Sequence, residues 1–375
     1  MMITRWCGVF VSVAVLCACS ATGGGAGGGD DEGAVSGVGP QSAALAESLA
    51  DIRREAGVRS VSAIAWRDGE IVAQAAAGTA DARSGTAATP ESIYMIASCS
   101  KPVVGLALAV LAAEQPIDLD ADINAWLEWP EPLRNPAHPD EPITLRQLVT
   151  HRSSLVADDD EDYETYARPD PEADMTAYFE GLLPDPTRWE AFAPGEKEVY
   201  SNIGAALAAH VVETASGEPF SDFCRDRIFE PLGLKDTGWF FSDFDAAQVA
   251  RMARPHDAEG EPLEHFGFPN WPSGQIRTTT GDLAKLWMAV QSREAPFSTS
   301  RLADFESVPF FIQADAEAET YDHSGSEYGV GAYFTYDHAG NGYAFLVNHE
   351  QTEAEVDALD EALSEVLRGY SGLAD

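Results

Sequence analysis

Apolar runs divide the chain into segments that predict helices and segments that predict strands. Val103–Ala113 is apolar nearly all round, which is typical of a helix buried on every side. Ile203–Val212 predicts a second apolar helix. Val61–Trp66 and Glu70–Gln74 flank the polar segment Arg67–Gly69, so they predict two strands joined by a tight turn. The chain is therefore expected to combine helices with a sheet.

The C-terminal part adds more strand signals. Gly329–Thr335 and Tyr343–Val347 predict two strands connected by the turn Asp337–Gly342, and Glu353–Leu367 predicts a final helix. We expect these strands to join the N-terminal ones, with the final helix against the sheet and residues 130–268 forming a mainly helical lobe. The prediction is an α+β fold in two lobes, an antiparallel sheet flanked by helices, because about 335 residues are many for one simple domain.

Residues 1–19 resemble a lipoprotein signal. The apolar run Val9–Leu16 leads directly into Leu16-Cys-Ala-Cys, and Cys19 is the residue expected to carry the lipid. A plain signal peptide is the alternative. A transmembrane anchor fits less well, because the run is well short of about 20 residues.

A tether is expected to follow the signal. Residues 20–40 are dominated by glycine and acidic residues without periodicity, which predicts a flexible leash before the folded domain at residues 41–375. We therefore expect an exported protein held to a membrane through Cys19. The residue after the lipid site is Ser20 rather than an aspartate. By analogy, this suggests the outer membrane, facing the periplasm or the exterior.

The charge balance narrows the range of partners. Acidic residues outnumber basic ones by 62 to 23, giving a formal charge of −39. Nucleic acid is excluded as a partner, because phosphate binding requires a basic surface. The acid excess also repels anionic substrates and lipid headgroups unless salt screens it, and with so few lysines it indicates a saline habitat. The run Asp158–Asp162 is interpreted as a solvated loop.

The cysteines and acidic clusters predict no metal or cofactor. Cys99 and Cys224 are the cysteines beyond the signal, and we expect them to stay free because they lie on different helices. Asp118–Asp122 imitates a calcium loop, but Ile123 and Trp129 stand where the glycine and the closing glutamate should be, so it is interpreted as a polar turn.

Ser98 and Lys101 carry the strongest chemical signal. Residues at i and i+3 are neighbours on a helix, so Lys101 can take the Ser98 hydroxyl proton as the serine attacks a carbonyl. Pro102 is tolerated there because the first helical turn has unpaired N–H groups, and such groups can hold an oxyanion. The alternative is a polar helix cap followed by an ordinary exposed lysine.

Two further segments are candidates for the same site. Tyr200–Asn202 opens the apolar helix from Ile203, although by itself it is also a helix cap. His323–Gly325 precedes a predicted strand and can line a cleft along a sheet edge. His338–Gly340 has the same His-Xaa-Gly form, but it lies in the predicted turn, which is the better interpretation for His338.

Together these segments resemble the serine β-lactamase and penicillin-binding protein superfamily, in its class C β-lactamase-like branch, which includes D,D-peptidases and esterases. The similarity runs from about Gln41 to the C-terminus. Further segments match family sequences in order and spacing: Ile143–Leu155 (ITLRQLVTHRSSL), Pro194–Gly204 (PGEKEVYSNIG), Pro231–Thr237 (PLGLKDT) and Gly274–Ala284 (GQIRTTTGDLA). The resemblance implies a β-lactamase/transpeptidase-like fold.

The resemblance also implies the roles of the candidate residues. Ser98 is expected to be the nucleophile, with Lys101 and Tyr200 as the proton-transfer pair; which of the two takes the serine proton stays open. Desolvation beside a tyrosine would disfavour the charged form of Lys101 and let it act as a base. The remaining positions carry over as a substrate-orienting Asn202, the substrate-binding strand His323, Ser324 and Gly325, and an oxyanion hole made by the backbone N–H groups of Ser98 and Ser326.

Two departures from the family pattern are visible. Ser154 stands where the family usually has glycine, which alters a turn. His323 replaces a lysine that, in β-lactamases, helps hold the substrate carboxylate. A histidine with the ordinary pKa of about 6.5 would be charged near pH 6 and neutral at pH 8, so we expect carboxylate-bearing substrates to bind better at the lower pH.

The expected activity is that of a serine hydrolase of D,D-peptidase or esterase type, acting through an acyl-enzyme on Ser98. The alternatives are a β-lactamase, a penicillin-recognising binding protein that acylates without turnover, and a catalytically silent scaffold. The expected substrate is a small molecule, a peptide or an ester.

Overall fold

The computed structural model describes the backbone of residues 35–38 and, between residues 41 and 373, all except 128, 158–169, 171–173, 298–309 and 316–317. The signal segment with Cys19 and the acidic run Asp158–Asp162 lie outside the described residues.

One antiparallel sheet forms the centre of the domain. The strands are β1 (Val35–Val38), β2 (Ser60–Arg67), β3 (Glu70–Asp81), β4 (Thr86–Ala87), β5 (Tyr94–Met95), β6 (Arg277–Thr278), β7 (Gln313–Asp315), β8 (Thr320–Glu327), β9 (Val330–Asp337) and β10 (Gly342–Val347). The main sheet has the order β1-β3-β2-β10-β9-β8-β7, with β4 on β3, while β5 pairs with β6 separately.

The predicted pairing of N-terminal strands with C-terminal strands in one sheet is confirmed. The C-terminal strand β10 pairs antiparallel with the N-terminal β2, from Gly342 opposite Trp66 to Val347 opposite Val61. The tight turn between β2 and β3 is also present, because Asp68 and Gly69 both have left-handed backbones, with φ of 53° and 75°.

Part of the segment that the sequence assigned to a tether, residues 20–40, is a strand. Residues 35–38 form β1, which pairs with β3 from Val35 opposite Ala77 to Val38 opposite Gln74. The open edge of β3 offers unpaired backbone groups, and a short extended segment satisfies them even where glycine and serine hide the strand pattern in the sequence.

Helices cover both faces of the sheet and build the second lobe. They are α1 (Ser42–Ala56), α2 (Lys101–Glu114), α3 (Leu145–Val149), α4 (Met175–Leu182), α5 (Asn202–Ser216), α6 (Phe220–Cys224), α7 (Ala246–Val249), α8 (Thr280–Ser292) and α9 (Glu353–Ser371). A π-helix, Arg225–Phe229, continues α6. Helices α3 to α7 lie between residues 130 and 268, and the described part of that region contains no strand.

The core lies on both sides of the sheet. One face packs against α1 and α9 through small and aromatic residues such as Ala63, Ala65 and Phe345. The other face packs against α8, where Trp287 stacks on Phe334 with ring centroids 4.3 Å apart. Burial of these apolar surfaces provides most of the drive for folding, at about 25 cal/mol per Å² removed from water.

Helix α2 connects the sheet to the helical lobe. It is buried from Lys101 to Leu111 and contacts α5. Within the described part of the chain, one helical segment, Ala97–Glu114, is long and apolar enough to cross a membrane, but 83% of it is buried inside the protein. It is therefore the core helix that the sequence predicted, and it brings Ser98 to the junction of the two lobes.

Candidate active site

Ser98 lies in a short 3₁₀ helix, Ala97–Ser100, that runs directly into α2. The residue before it, Ala97, has a φ of 45°, in the left-handed region that alanine rarely adopts. Such backbone strain costs about 1–3 kcal/mol and is concentrated at functional sites, where it aims a side chain. The turn is held by the N–H of Ile96, which donates to Ile276 O at 2.9 Å.

The predicted pairing of Ser98 with Lys101 is present. Lys101 Nζ donates to Ser98 Oγ at 2.8 Å and to Ser273 O, also at 2.8 Å. Its side chain is 0% exposed, so the alternative of an ordinary exposed lysine is wrong. A buried amine in hydrogen-bond contact with a serine hydroxyl has the geometry that general-base catalysis requires.

Tyr200 lies beside the same lysine. Lys101 Nζ is 4.8 Å from the centroid of the Tyr200 ring. The neighbouring Ser201 is the cap of α5, because its Oγ accepts a hydrogen bond from the N–H of Gly204 at 3.0 Å. The helix-cap interpretation therefore accounts for Ser201 and leaves the side chains of Tyr200 and Asn202 available for other roles.

Asn202 presents a buried amide to the site. It is only 7% exposed, and its Oδ1 has no hydrogen-bond partner among the described residues. Leaving a buried acceptor unpaired costs about 1–3 kcal/mol, and a substrate N–H group would satisfy it.

Strand β8 passes directly along the nucleophile. A Cβ added at Gly325 would lie 2.4 Å from Ile96 O and 3.0 Å from Ser98 N, so only glycine allows this approach. Strand β7 pairs only with Thr320–Asp322, and no described strand covers the outer edge of β8 beyond Asp322. The open edge therefore lies where a substrate can align beside Ser98.

His323 is on β8 but is not titratable in the way the sequence suggested. It is directly opposite Phe334 of β9 and only 4% exposed. Burial, reinforced by the charge of Lys101, lowers its pKa from 6.5 to about 3. The expectation that His323 becomes cationic near pH 6 is therefore wrong, because a buried position on the interior face of the sheet disfavours the charged ring.

Strand β8 also carries the site candidates Ser324 and Ser326. Ser324 and Ser326 have exposed side chains on the face opposite His323 and Gly325. The pair of backbone N–H groups assigned to the oxyanion hole, those of Ser98 and Ser326, stays a prediction, as do the substrate contacts of Ser324 and Asn202.

Two aromatic residues at this site were not predicted from the sequence. His151 stacks on Tyr200 with ring centroids 4.5 Å apart, and Phe311 meets the His151 ring edge-on at 5.1 Å. His151 belongs to the segment Ile143–Leu155, whose family-like sequence was the available signal. His151 and Tyr200 are about fifty positions apart in the sequence, so no local pattern indicated their contact.

Ser154 and the rival histidine, His338, behave as ordinary structural features. Ser154 has a φ of 61°, a left-handed backbone, which explains why the family usually has glycine at this position. Its Oγ accepts a hydrogen bond from Asn135 Nδ2 at 2.9 Å. His338 is exposed in the turn between β9 and β10, where its Nε2 contacts the Tyr321 hydroxyl at 2.9 Å. The turn interpretation of His338 is confirmed.

The described cysteines and acidic residues form no disulfide and no metal site. Cys99 and Cys224 are free and buried, as expected. Burial raises the pKa of Cys99 well above its ordinary value, and the negative charges of Asp360 and Asp322 act in the same direction. Over the described ranges, no group of His, Cys, Asp and Glu side chains is arranged to hold a metal ion.

Comparison with known proteins identifies the family. The family described as Beta-lactamase matches residues 43–368. Esterase EstB of Burkholderia gladioli is 33% identical over 211 residues, which cover 54% of this chain and 51% of that protein. The D-alanyl-D-alanine-carboxypeptidase/endopeptidase AmpH of Escherichia coli (strain K12) is 26% identical over 224 residues, which cover 57% of this chain and 52% of AmpH. The chain thus spans about half the length of these relatives.

A solved structure supports the fold independently. The octameric penicillin-binding protein homologue from Pyrococcus abyssi superposes with a TM-score of 0.70 at 22% identity, over 86% of this chain and 77% of that one. At this identity the likeness shows the fold alone. It confirms the antiparallel sheet with flanking helices that the sequence predicted.

Proposed function

Because this chain belongs to the β-lactamase family, we propose that it is a serine hydrolase that forms an acyl-enzyme on Ser98 and acts on uncharged esters. The observation that carries the proposal is the 2.8 Å contact between Lys101 Nζ and Ser98 Oγ at the open edge of β8. A serine hydroxyl attacks a carbonyl only when a neighbouring group takes its proton, and this contact supplies that group.

The reaction proceeds in two steps, acylation of Ser98 and hydrolysis of the acyl-enzyme. Ser98 Oγ bonds to the ester carbonyl carbon while its proton passes to the Lys101–Tyr200 pair, and the backbone N–H groups of Ser98 and Ser326 hold the oxyanion. The bond to the alcohol then breaks, and the alcohol leaves with the proton. A water molecule then attacks the acyl-enzyme carbonyl in the same way, which releases the carboxylic acid and restores Ser98.

The charges around the site favour uncharged substrates. Neutral His323 occupies the place where β-lactamases have a cationic lysine, so the carboxylate of a β-lactam or D-alanine peptide loses that partner. Asp322 lies next to it on β8, and the whole chain carries a formal charge of −39. These charges repel an anionic substrate. The similarity to Esterase EstB supports the same class of substrate.

A D,D-peptidase is the second candidate. Asn202 Oδ1, buried and unpartnered among the described residues, would accept a hydrogen bond from a substrate amide, which a peptide has and a simple ester lacks. The similarity to AmpH supports this candidate. A β-lactamase, or a penicillin-binding protein without turnover, follows from the same acylation chemistry and remains an outcome of the test.

Intact-protein mass spectrometry separates these functions. The protein is mixed in turn with p-nitrophenyl butyrate, a D-Ala-D-Ala peptide and a penicillin, and both adducts and products are recorded. We expect ester turnover with at most slow reaction of the other two. A long-lived penicillin adduct without product would instead identify a penicillin-binding protein, and rapid penicillin turnover a β-lactamase. No reaction with any substrate would refute the proposal.

The buried state of His323 makes a prediction about pH. Two substrates of similar size, p-nitrophenyl valerate and the p-nitrophenyl monoester of succinic acid, differ in one carboxylate. With a pKa of about 3, His323 is neutral at both pH 6 and pH 8, so we expect the KM ratio of the two esters to stay within about twofold. The same ratio measured in His323→Gln separates titration of His323 from that of other groups. A ratio that changes about tenfold between these pH values, and no longer does so in His323→Gln, would show that His323 titrates against the carboxylate.

We also propose that the protein is exported and anchored by lipid at Cys19, with residues 20–34 acting as a leash. The proposal is supported by the signal-like residues 1–19 and by the first described strand, β1, which begins at Val35. A single lipidated cysteine followed by a short glycine-rich segment would hold the hydrolase domain close to a membrane surface.

Replacing Cys19 tests the anchor. We expect Cys19→Ser to release the protein from membranes into the soluble fraction, whereas Cys17→Ser stays membrane-bound, because only Cys19 follows the small Ala18 with Leu16 three residues before it. Cell fractionation with detection of the mature protein measures the difference. A Cys19→Ser protein that remains on membranes after signal cleavage would count against lipidation.

A further inference from the structure

His151 contacts the Tyr200 segment at three points. The N–H of Val199 donates to His151 O at 2.7 Å, and the N–H of Ser201 donates to His151 Nδ1 at 3.1 Å. The third contact is the stacking of the two rings, with centroids 4.5 Å apart and planes inclined by 32°. The residues before and after Tyr200 are therefore both hydrogen-bonded to one histidine that also packs on the Tyr200 ring.

The position of His151 is itself held firmly. Its backbone is left-handed, with a φ of 54°, a conformation that histidine adopts more readily than most residues. The ring meets Phe311 edge-on with centroids 5.1 Å apart. Phe311 is in turn fixed by its N–H, which donates to Val149 O at 2.9 Å at the end of α3. A ring supported in this way can act as a rigid platform for Tyr200.

We propose that His151 is a positioning residue that holds the Tyr200 phenol in place for proton transfer with Lys101 and Ser98. This inference rests on the proposed hydrolase function and deepens it. Lys101 Nζ lies 4.8 Å from the centroid of the Tyr200 ring, so a small rotation of that ring changes the distance over which a proton moves. Errors of about 1 Å in such an arrangement reduce rates by about 10²-fold.

The protonation state of His151 fits this role. Nδ1 accepts the Ser201 N–H only when it carries no proton, so the ring must be the neutral tautomer with its proton on Nε2. Desolvation of the half-buried ring and the positive charge of the nearby Lys101 hold the pKa of His151 well below 6.5. The neutral ring, which accepts the Ser201 N–H, is therefore the favoured form at neutral pH.

Two substitutions separate the hydrogen bond from the ring contact. His151→Phe keeps an aromatic ring beneath Tyr200 and loses the acceptor for Ser201. His151→Asn keeps an acceptor near the place of Nδ1, tolerates the left-handed backbone and loses the ring. We expect both to bind substrate with little change in KM and to show kcat reduced at least about tenfold. Thermal melting of each variant shows whether it is folded.

The choice of substrate distinguishes positioning from general damage. Two butyrate esters are compared, one with the good leaving group p-nitrophenol and one with an alkyl alcohol, which needs a proton as it leaves. If His151 acts through Tyr200, we expect the variants to lose at least about tenfold more kcat with the alkyl ester than with the p-nitrophenyl ester. Equal losses on both esters would overturn the inference and indicate a structural role.

A double-mutant cycle completes the test. In a Tyr200→Phe background the phenol is absent, so His151→Phe is expected to cause less than about twofold further loss with the p-nitrophenyl ester. The same loss in both backgrounds would overturn the inference while leaving the hydrolase function intact. A wild-type protein that hydrolyses neither ester would overturn the proposed function, and this inference with it.

Discussion

Replacing Ser98 by alanine is expected to abolish ester turnover and labelling by a fluorophosphonate probe. The Oγ that accepts a hydrogen bond from Lys101 at 2.8 Å is the atom that would form the acyl bond. Removal of the nucleophile from a hydrolase that works through a serine acyl-enzyme costs about 10⁶-fold in kcat. The measurement is the rate of probe labelling and of p-nitrophenyl butyrate hydrolysis, with a limit of detection at least about 10⁵-fold below wild type.

Ser100 supplies the matched control within the same turn. It is also buried, but its Oγ accepts a hydrogen bond from the N–H of Ile276 at 3.1 Å rather than contacting Lys101. Ser100→Ala is therefore expected to cost about 1–3 kcal/mol of stability and to keep most of the labelling. Labelling of the Ser98→Ala protein at the wild-type rate would show that another residue is the nucleophile.

Replacing Gly325 by alanine is expected to cause a large loss of activity, although it adds only one methyl group. The new Cβ would lie 2.4 Å from Ile96 O and 3.0 Å from the N atoms of Ser98 and Cys99. These are backbone atoms, so the strain is relieved only by moving β8 away from the nucleophile. We expect a loss of about 1–3 kcal/mol in stability and at least about 10²-fold in kcat/KM.

Gly331 on the neighbouring strand makes a sharp control. It is paired with Ser326 across the sheet, yet a Cβ there would meet only Val347 Cβ, at 3.7 Å, an ordinary contact. Gly331→Ala is expected to melt within about 2 °C of wild type and to keep its activity. Thermal melting and ester kinetics of both variants test this, and a Gly325→Ala enzyme with wild-type kcat/KM would contradict the close approach of β8 to Ser98.

Much of the fold was visible in the sequence because it follows from local patterns. The strands around Val61 and Leu346, the apolar helix after Lys101 and the final helix from Glu353 were each predicted from periodicity and turn residues. Strand β1 was not, because Val35–Val38 lies in a glycine-rich segment and extends only where the edge of β3 pairs with it. Edge pairing is a property of the neighbouring strand as much as of the segment itself.

The pairing of Ser98 with Lys101 could be predicted from the sequence for a similar reason. Ser98 and Lys101 are three residues apart, and helical geometry alone brings such residues together. Tyr200 and His323 are remote from them in the chain, and the sequence reached them only through resemblance to a family. His151 was missed, because its contact with Ser201 spans fifty residues and has no local signature.

The sequence by itself determined the class of fold, the acidic charge and the spacing that brings Ser98 and Lys101 together. Only the tertiary structure decided their physical state. His323 has an ordinary pKa as an isolated side chain, but packing opposite Phe334 and near Lys101 lowers that pKa to about 3. Gly325 is one glycine among 32 in the sequence, and only the approach of β8 to Ser98 makes it irreplaceable. Desolvation and close contact depend on distances between segments far apart in the chain, and those distances exist only after the lobes have packed together.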